Sequence, residues 1–209
     1  MKEYPKIHTI FKRDPASNHK RLITGEYSLP EFRYLKDNGW IWSEKVDGTN
    51  IRVIWDQENE QVLLGGKTSN AQIPGVLVNK LREMFPVEKM RSVFTASACL
   101  YGEGYGAKIQ KGGGNYRQDQ SFVLFDALID TWWLKRDALE EIAQKLGIDI
   151  VPVIGIGTLS DMVHMAETGF ESHWGDFLAE GIVARPVVEL RARNGDRIIT
   201  KIKHKDFVK

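Results

Sequence analysis

Apolar and polar positions alternate in several short stretches of this chain and recur at helical spacing in others. Residues 40–55 (WIWSEKVDGTNIRVIW) set aromatic and β-branched residues on either side of Asp47-Gly48-Thr49-Asn50 and read as strand, turn, strand. Gln61–Leu64 suggests a further strand, and the apolar run Phe122–Ile129 a buried one. Gly75–Phe85 has helical spacing, with Val76, Val78, Leu81 and Phe85 on one side. Asp137–Leu146 is the clearest helix. Asp137 can cap it, Leu139, Ile142, Ala143 and Leu146 line one face, and Gly147 ends it. Ile150–Ile156 reads as a strand. Ser160 can cap a helix running to about Glu167, with Gly169 closing it. Gly181–Arg185 and Arg197–Lys203 read as two late strands. Antiparallel strands with helices inserted between them make the fold class α+β.

Composition narrows this picture. With 42% hydrophobic and 27% charged residues, the chain is neither disordered nor collagen-like. No run approaches the roughly 18 apolar residues of a membrane helix, so no membrane partner is expected. The N-terminal stretch MKEYPKIHTIFKRDP has no apolar signal core. The single cysteine, Cys99, excludes an internal disulfide framework and a cysteine-cluster zinc site. A reduced, cytoplasmic setting follows. The net charge of +1 names no partner, but local basic clusters exist. Lys108, Lys111 and Arg117 stand without an acid between them, and Lys201, Lys203, Lys205 and Lys209 face only Asp206.

Some chemical-looking motifs fail on spacing. Gly65-Gly66-Lys67-Thr68 resembles the end of a P-loop, but position 61, where the loop needs glycine, is Gln. Gly102-x-Gly104-x-Gly106 lacks the third spacing of a dinucleotide fingerprint. The five histidines form no tight metal-ligand pair, and no Gly-x-Ser-x-Gly elbow is present.

Other residues share a pattern. Lys45 stands at a strand end beside Asp47-Gly48, Glu103 at a strand end, Asp126 inside an apolar run, and Glu180 just before a strand. Lys201 and Lys203 share one face of a strand, because side chains alternate with period two. Carboxylates suit Mg²⁺ or Mn²⁺ and lysines suit phosphates, so these groups could converge on one cavity. Read singly, each has an ordinary explanation as an exposed lysine or an edge or buried carboxylate.

In order and spacing these segments resemble the motifs of the covalent nucleotidyltransferases: ATP-dependent DNA ligases, RNA ligases and mRNA-capping guanylyltransferases. Lys45-Val46-Asp47-Gly48 is similar to motif I, Tyr101-Gly102-Glu103-Gly104 to motif III and Phe122-Val123-Leu124-Phe125-Asp126 to motif IIIa. Glu180-Gly-Ile-Val-Ala-Arg185 is similar to motif IV, and Lys201-Ile202-Lys203 to motif V. Glu44–Asn50, Tyr105–Gly112 and Glu180–Val183 bring the chain nearest to the phage RNA ligase 2-type enzymes. The resemblance covers residues 40–207. It implies a nucleotidyltransferase (ATP-grasp-like) domain of antiparallel sheets flanked by helices, spanning residues 1–209.

The implied chemistry is attack of a lysine on the α-phosphate of ATP, with loss of pyrophosphate, giving a lysyl-AMP. An ordinary lysine has a pKa near 10.4, and lowering it by about 3 units takes about 4 kcal/mol. Neighbouring cations and a bound Mg²⁺ or Mn²⁺ would supply this. The match makes Lys45 the nucleophile and has Lys201 and Lys203 bind the α-phosphate. Glu44, Val46, Asn50, Lys67 and Glu103 would contact nucleotide, Glu44 at the adenine edge and Glu103 at the ribose or a metal-bound water. Phe122 would stack on the base, with Phe125 its rival. Glu180 would hold the metal, with Glu103 the second candidate. Lys67 departs from the arginine often found there. Asp47 departs from the histidine of several RNA ligases and matches DNA ligases and capping enzymes.

The chain ends six residues after Lys203. It therefore shows neither the OB-fold of DNA ligases and capping enzymes nor the helical domain of RNA ligase 2-type enzymes. Grip on nucleic acid would fall to Lys108, Lys111, Arg117 and the lysine tail, through salt-sensitive contacts. The resemblance thus implies a monomeric ATP-dependent RNA ligase of a bacterial or phage-infected cell, joining 5′-phosphate to 3′-hydroxyl ends. DNA nick sealing, GTP-dependent capping and a catalytically silent binding module are the alternatives.

Overall fold

The computed structural model describes residues 3–68 and 70–208, so Lys209 of the basic tail lies outside the described residues. In chain order the strands and helices are β1 (His8–Thr9), β2 (Phe11–Arg13), β3 (Leu22–Tyr27), α1 (Pro30–Tyr34), β4 (Trp40–Lys45), β5 (Thr49–Asp56), β6 (Gln61–Gly65), α2 (Gly75–Met84), α3 (Val87–Val93), β7 (Ala98–Gly106), α4 (Gly113–Tyr116) and β8 (Gln120–Ile129). They continue with β9 (Trp132–Trp133), α5 (Arg136–Leu146), β10 (Asp149–Ile150), β11 (Val153–Gly157), α6 (Leu159–Thr168), β12 (Glu171–Ser172), β13 (Gly175–Leu178), β14 (Gly181–Pro186) and β15 (Thr200–Lys203). Two short 3-10 turns, Pro15–Ser17 and His204–Asp206, complete the set. The chain folds into two compact units, one built from the stretch ending at Tyr4 plus Asp47–Val151, the other from Pro5–Val46 plus Pro152–Lys209.

The first unit is a six-stranded sheet ordered β10-β8-β7-β5-β6, with β9 paired to β8. β7 and β8 are buried along nearly their whole lengths because both faces of the sheet are covered. On one face Ile51, Val53, Trp55, Leu100, Phe122 and Leu124 pack against Leu77 and Leu81 of α2, Met90 of α3 and the apolar side of α5. On the other, Cys99, Tyr101 and Leu128 pack with Tyr4, Phe125 and Trp133. Asp126 is fully buried and accepts the Tyr4 hydroxyl at 2.7 Å, so it anchors that segment.

Two helices of this unit refine the sequence reading. In α2 the buried positions are Leu77 and Leu81, followed by Phe85, whereas Val76 is exposed. The apolar stripe runs at i, i+4, i+8, keeping the expected Leu81 and Phe85 and beginning at Leu77 in place of Val76. α5 buries Leu139, Ile142, Ala143 and Leu146 and ends on left-handed Gly147, as expected. It starts one residue earlier, at Arg136 with Lys135 as N-cap, so Asp137 lies in its first turn, where a carboxylate favours the positive helix end.

The second unit is a five-stranded sheet ordered β1-β15-β14-β4-β11, with the small hairpins β2-β3 and β12-β13. β4 alternates strictly: Trp40, Trp42 and Glu44 point into the core, while Ile41, Ser43 and Lys45 occupy the other face. The core face packs with Phe32, Ile182, Ala184 and Ile202 against Leu159, Met162 and Ala166 of α6. α6 is capped by Thr158, two residues before Ser160. Thr158 and Asp161 form a reciprocal capping box, and three-residue spacing is what that box requires.

Three expectations about strands change. β4 and β5 pair in different sheets, so residues 40–55 are not a hairpin; the Asp47–Gly48 turn carries the chain from one unit to the other. Ile150–Ile156 is two strands, β10 and β11, because Pro152 cannot donate to a ladder and Val151-Pro152 is where the chain crosses back. Glu103 lies inside β7, which runs on to Gly106, rather than at a strand end. The sheets are also not purely antiparallel: β1 runs parallel to β15 and β10 parallel to β8.

Candidate active site

In the second unit the register places Lys45 of β4 opposite Gly181 of β14, and Gly181 opposite Lys203 of β15. Gly181 is the gap between two lysines. A Cβ there would lie 2.2 Å from the Ile202 carbonyl, so no larger residue fits. Glu180, one residue earlier, reaches both lysines: Lys45 Nζ donates to its Oε2 at 2.6 Å, and Lys203 Nζ donates to Oε1. The Glu180 side chain is 8% exposed, those of Lys45 and Lys203 18% and 21%. Burial pushes the Glu180 carboxyl up, but Lys45 and Lys203 outweigh this and hold it below the usual carboxylate range. Lys201 shares the face of Lys203, opposite Val183 of β14 and Thr9 of β1.

The electrostatics differ from the sequence expectation in one respect. Lys45 Nζ lies against a carboxylate, and a carboxylate favours the ammonium form of a lysine.

Glu44, next to the nucleophile candidate, points the opposite way from Lys45. It is buried among the core residues, and its oxygens accept from Ser172 Oγ at 2.6 Å and the His173 N–H at 2.8 Å. Its side chain thus secures the β12-β13 turn. Val46 is buried, and its carbonyl accepts from Lys45 Nζ at 3.3 Å.

The backbone of Lys203 is held as firmly as its side chain. The Asp206 carboxylate accepts the Lys203 N–H at 3.1 Å and Arg13 Nη2 at 2.9 Å, and the His204 N–H donates to the Glu180 carbonyl at 3.0 Å. Sequence reasoning missed Asp206, Arg13, Ser172 and His173. Only Asp206 had a local signal, its three-residue spacing from Lys203.

The first unit holds the remaining candidates. Asn50 of β5 sits directly opposite Glu103 of β7. Asn50 Oδ1 is buried with no donor among the described residues, which makes it an acceptor that a ligand hydroxyl or a water could satisfy. Phe122 is wholly buried on the α2 side, edge-on to Phe85 at 5.3 Å between centroids, whereas Val123 is the β8 residue opposite Glu103. Phe122 therefore has no exposed ring face. Phe125 packs edge-on against Tyr4 at 5.1 Å. Lys67 is exposed just beyond β6. Nearby, the buried Arg52 donates Nε to the Gly66 carbonyl at 2.9 Å. Sequence reading did not single it out.

Of the three cations expected to grip nucleic acid, Lys108 and Lys111 are exposed in the glycine-rich loop. Arg117 is folded back on Asp119 through two nitrogens and lies over the Tyr105 ring. Its pKa is raised, first by the Asp119 hydrogen bond, and its fork is committed inside the protein.

Among the described residues no group of three or more His, Cys, Asp or Glu side chains could hold a metal ion. No helix there is long and apolar enough to cross a membrane.

No curated protein matches the chain. Solved structures of the Naegleria gruberi RNA ligase do. An apo mutant matches with a TM-score of 0.68 at 16% identity, over 98% of this chain and 58% of that one. A mutant of the same enzyme with ATP and Mn matches with a TM-score of 0.67 at 17% identity, over 98% of this chain and 59% of that one. At such identity the likeness is one of fold, and the chain spans less than two thirds of the protein it matches. A profile of the family described as RNA ligase matches residues 38–203, the stretch that carries Lys45, Glu103, Glu180 and Lys203. By that match over most of its length, the chain belongs to the RNA ligase family.

Proposed function

We propose that the chain is the adenylyltransferase part of an ATP-dependent RNA ligase, with Lys45 as its nucleophile. The observation that carries this reading is the Lys45–Glu180–Lys203 cluster built across three adjacent strands. In the first step Lys45 Nζ, having lost a proton, attacks the α-phosphorus. An N–P bond forms, the bond to the bridging oxygen breaks, and pyrophosphate leaves with the electron pair. Lys203 and Lys201, on the same strand face, neutralise charge on the α-phosphate, which matters more in phosphoryl transfer than acid–base help. In the second step a 5′-phosphate oxygen displaces the lysine. In the third a 3′-hydroxyl displaces AMP and closes the phosphodiester.

Glu180 suits a hard divalent cation such as Mg²⁺ or Mn²⁺, and with so few carboxylates nearby the ion would keep most of its water. Such an ion, when bound, supplies positive charge at the transferring phosphoryl group. Glu180 is then no longer the counter-ion of Lys45. Asn50 and Glu103 offer oxygens to ribose hydroxyls or ordered water.

Intact mass after incubation with ATP and Mg²⁺ tests the reading. The wild type gains one AMP, Lys45→Ala gains nothing, and GTP does not substitute. No gain with either nucleotide refutes it. Nicks ending in a 3′-ribonucleotide or a 3′-deoxyribonucleotide then separate RNA from DNA joining, and gel filtration tests the monomer.

A further inference from the structure

The β2-β3 hairpin of the second unit is strongly basic at its tip. Between Lys12 and Arg21 stand Lys12, Arg13, Lys20 and Arg21, with His19, against Asp14 alone. A run of cations is usually no more than a solvated face, but three features set this one apart.

The first is how the acids are used. Asp14 caps the 3-10 turn by accepting from the Ala16 N–H at 2.8 Å. Glu26 pairs with Lys12. Asp206, its side chain 3% exposed, is taken by Arg13 and the Lys203 N–H. Lys20, Arg21 and Lys205, the residue before Asp206, are exposed, and none has an acidic partner within ion-pair distance among the described residues. The second is rigidity. Arg13 Nη1 donates to the His19 and Lys20 carbonyls at 3.3 and 3.5 Å, so the tip that displays these cations is tied to the strand below it. The third is connection. Through Asp206, Arg13 joins the hairpin to the backbone of Lys203, a member of the proposed catalytic cluster.

We propose that the tip of the β2-β3 hairpin, with Lys205, is a contact surface for the phosphodiester backbone of RNA. This rests on the ligase reading for the identity of the partner. Ammonium and guanidinium groups without acids suit phosphate oxygens, and no large apolar side chain is exposed between Lys12 and Arg21 to enter a lipid surface. The contact reads charge, so it is independent of base sequence.

The test is binding of a short 5′-phosphorylated RNA, followed by fluorescence anisotropy between about 50 and 200 mM salt. It compares the wild type with Lys20→Ala/Arg21→Ala, two exposed residues outside the catalytic cluster. Losing two phosphate contacts lowers the slope of log affinity against log salt by about 1.4 for single-stranded RNA. Affinity at 0.1 M salt falls by about tenfold or more. AMP gain without RNA is unchanged, which shows that the double variant folds. Lys205→Ala lowers the slope by about 0.7. Slopes and affinities equal to the wild type overturn the proposal. So does unchanged RNA binding with weakened retention on phosphatidylserine vesicles, which would make the patch a membrane contact. If the wild type itself gains no AMP, the ligase reading fails, yet the salt slopes still decide the hairpin.

Discussion

Replacing Glu180 by glutamine keeps the volume of the side chain and removes its charge. In the wild type that charge is shared by two ammonium groups, Lys45 and Lys203, whose side chains are 18% and 21% exposed. Breaking a buried ion pair by removing one partner costs about 3–5 kcal/mol, because the other charge stays behind. Here some water reaches both lysines, which brings the expected loss to about 2–3 kcal/mol. For a chain of this size that lowers Tm by about 4–12 °C. Urea denaturation followed by circular dichroism measures it, with an unchanged m-value showing that the same surface unfolds. A double-mutant cycle with Lys203→Met isolates the interaction and should give a coupling of about 1 kcal/mol or more. A Glu180→Gln protein within about 0.5 kcal/mol of the wild type, with no coupling to Lys203, would refute the view that this carboxylate holds the cluster together.

The pH dependence follows with a definite sign. The folded-state pKa of Glu180 lies below its ordinary value of 4.5, so its stabilisation is present above that pH and lost as pH falls through the lowered folded value. Acid unfolding below about pH 4.5 should accordingly be steeper for the wild type than for Glu180→Gln, as read by circular dichroism. Gly181→Ala places a Cβ 2.2 Å from the Ile202 carbonyl, so it should lower both Tm and the yield of AMP-modified protein in an intact-mass assay. Thr158→Ala removes the cap of α6 and should lower stability by about 1 kcal/mol in urea, while AMP gain persists.

How much of this was legible in the sequence depends on the range of each interaction. The buried face of α5 and its Gly147 end follow from spacing within eleven residues, so the pattern shows them directly. Thr158 was hidden because Ser160, two residues on, is an equally good capping type, and only the Asp161 spacing separates them. The hairpin expected at residues 40–55 failed for a different reason. Alternation identifies a strand but not its partner, and β4 pairs with β14, about 140 residues away. The bonds from Glu44 to Ser172 and from Arg13 to Asp206 span 128 and 193 residues, so nothing local announces them. Lys45, Glu180 and Lys203 could be grouped in advance only through the order of motifs along the chain. Their actual arrangement around Gly181 is a property of register.

The division of the chain between the two units also sets an order of assembly. Nearly all of the first unit is one continuous stretch, Asp47–Val151, and can collapse as soon as it leaves the ribosome. The second unit cannot. β4 is made early, but its two neighbours β11 and β14, and β15 beyond β14, all come after residue 152. From Val151 to Lys203 is 203 − 151 = 52 residues, or about 3–10 s of synthesis. Until those strands are made, the strand bearing Lys45 lacks its sheet partners. A nascent chain stalled before Lys203 would thus carry a folded first unit and no assembled lysine cluster. The lysine cluster is complete only once β15 has been made, long after β4.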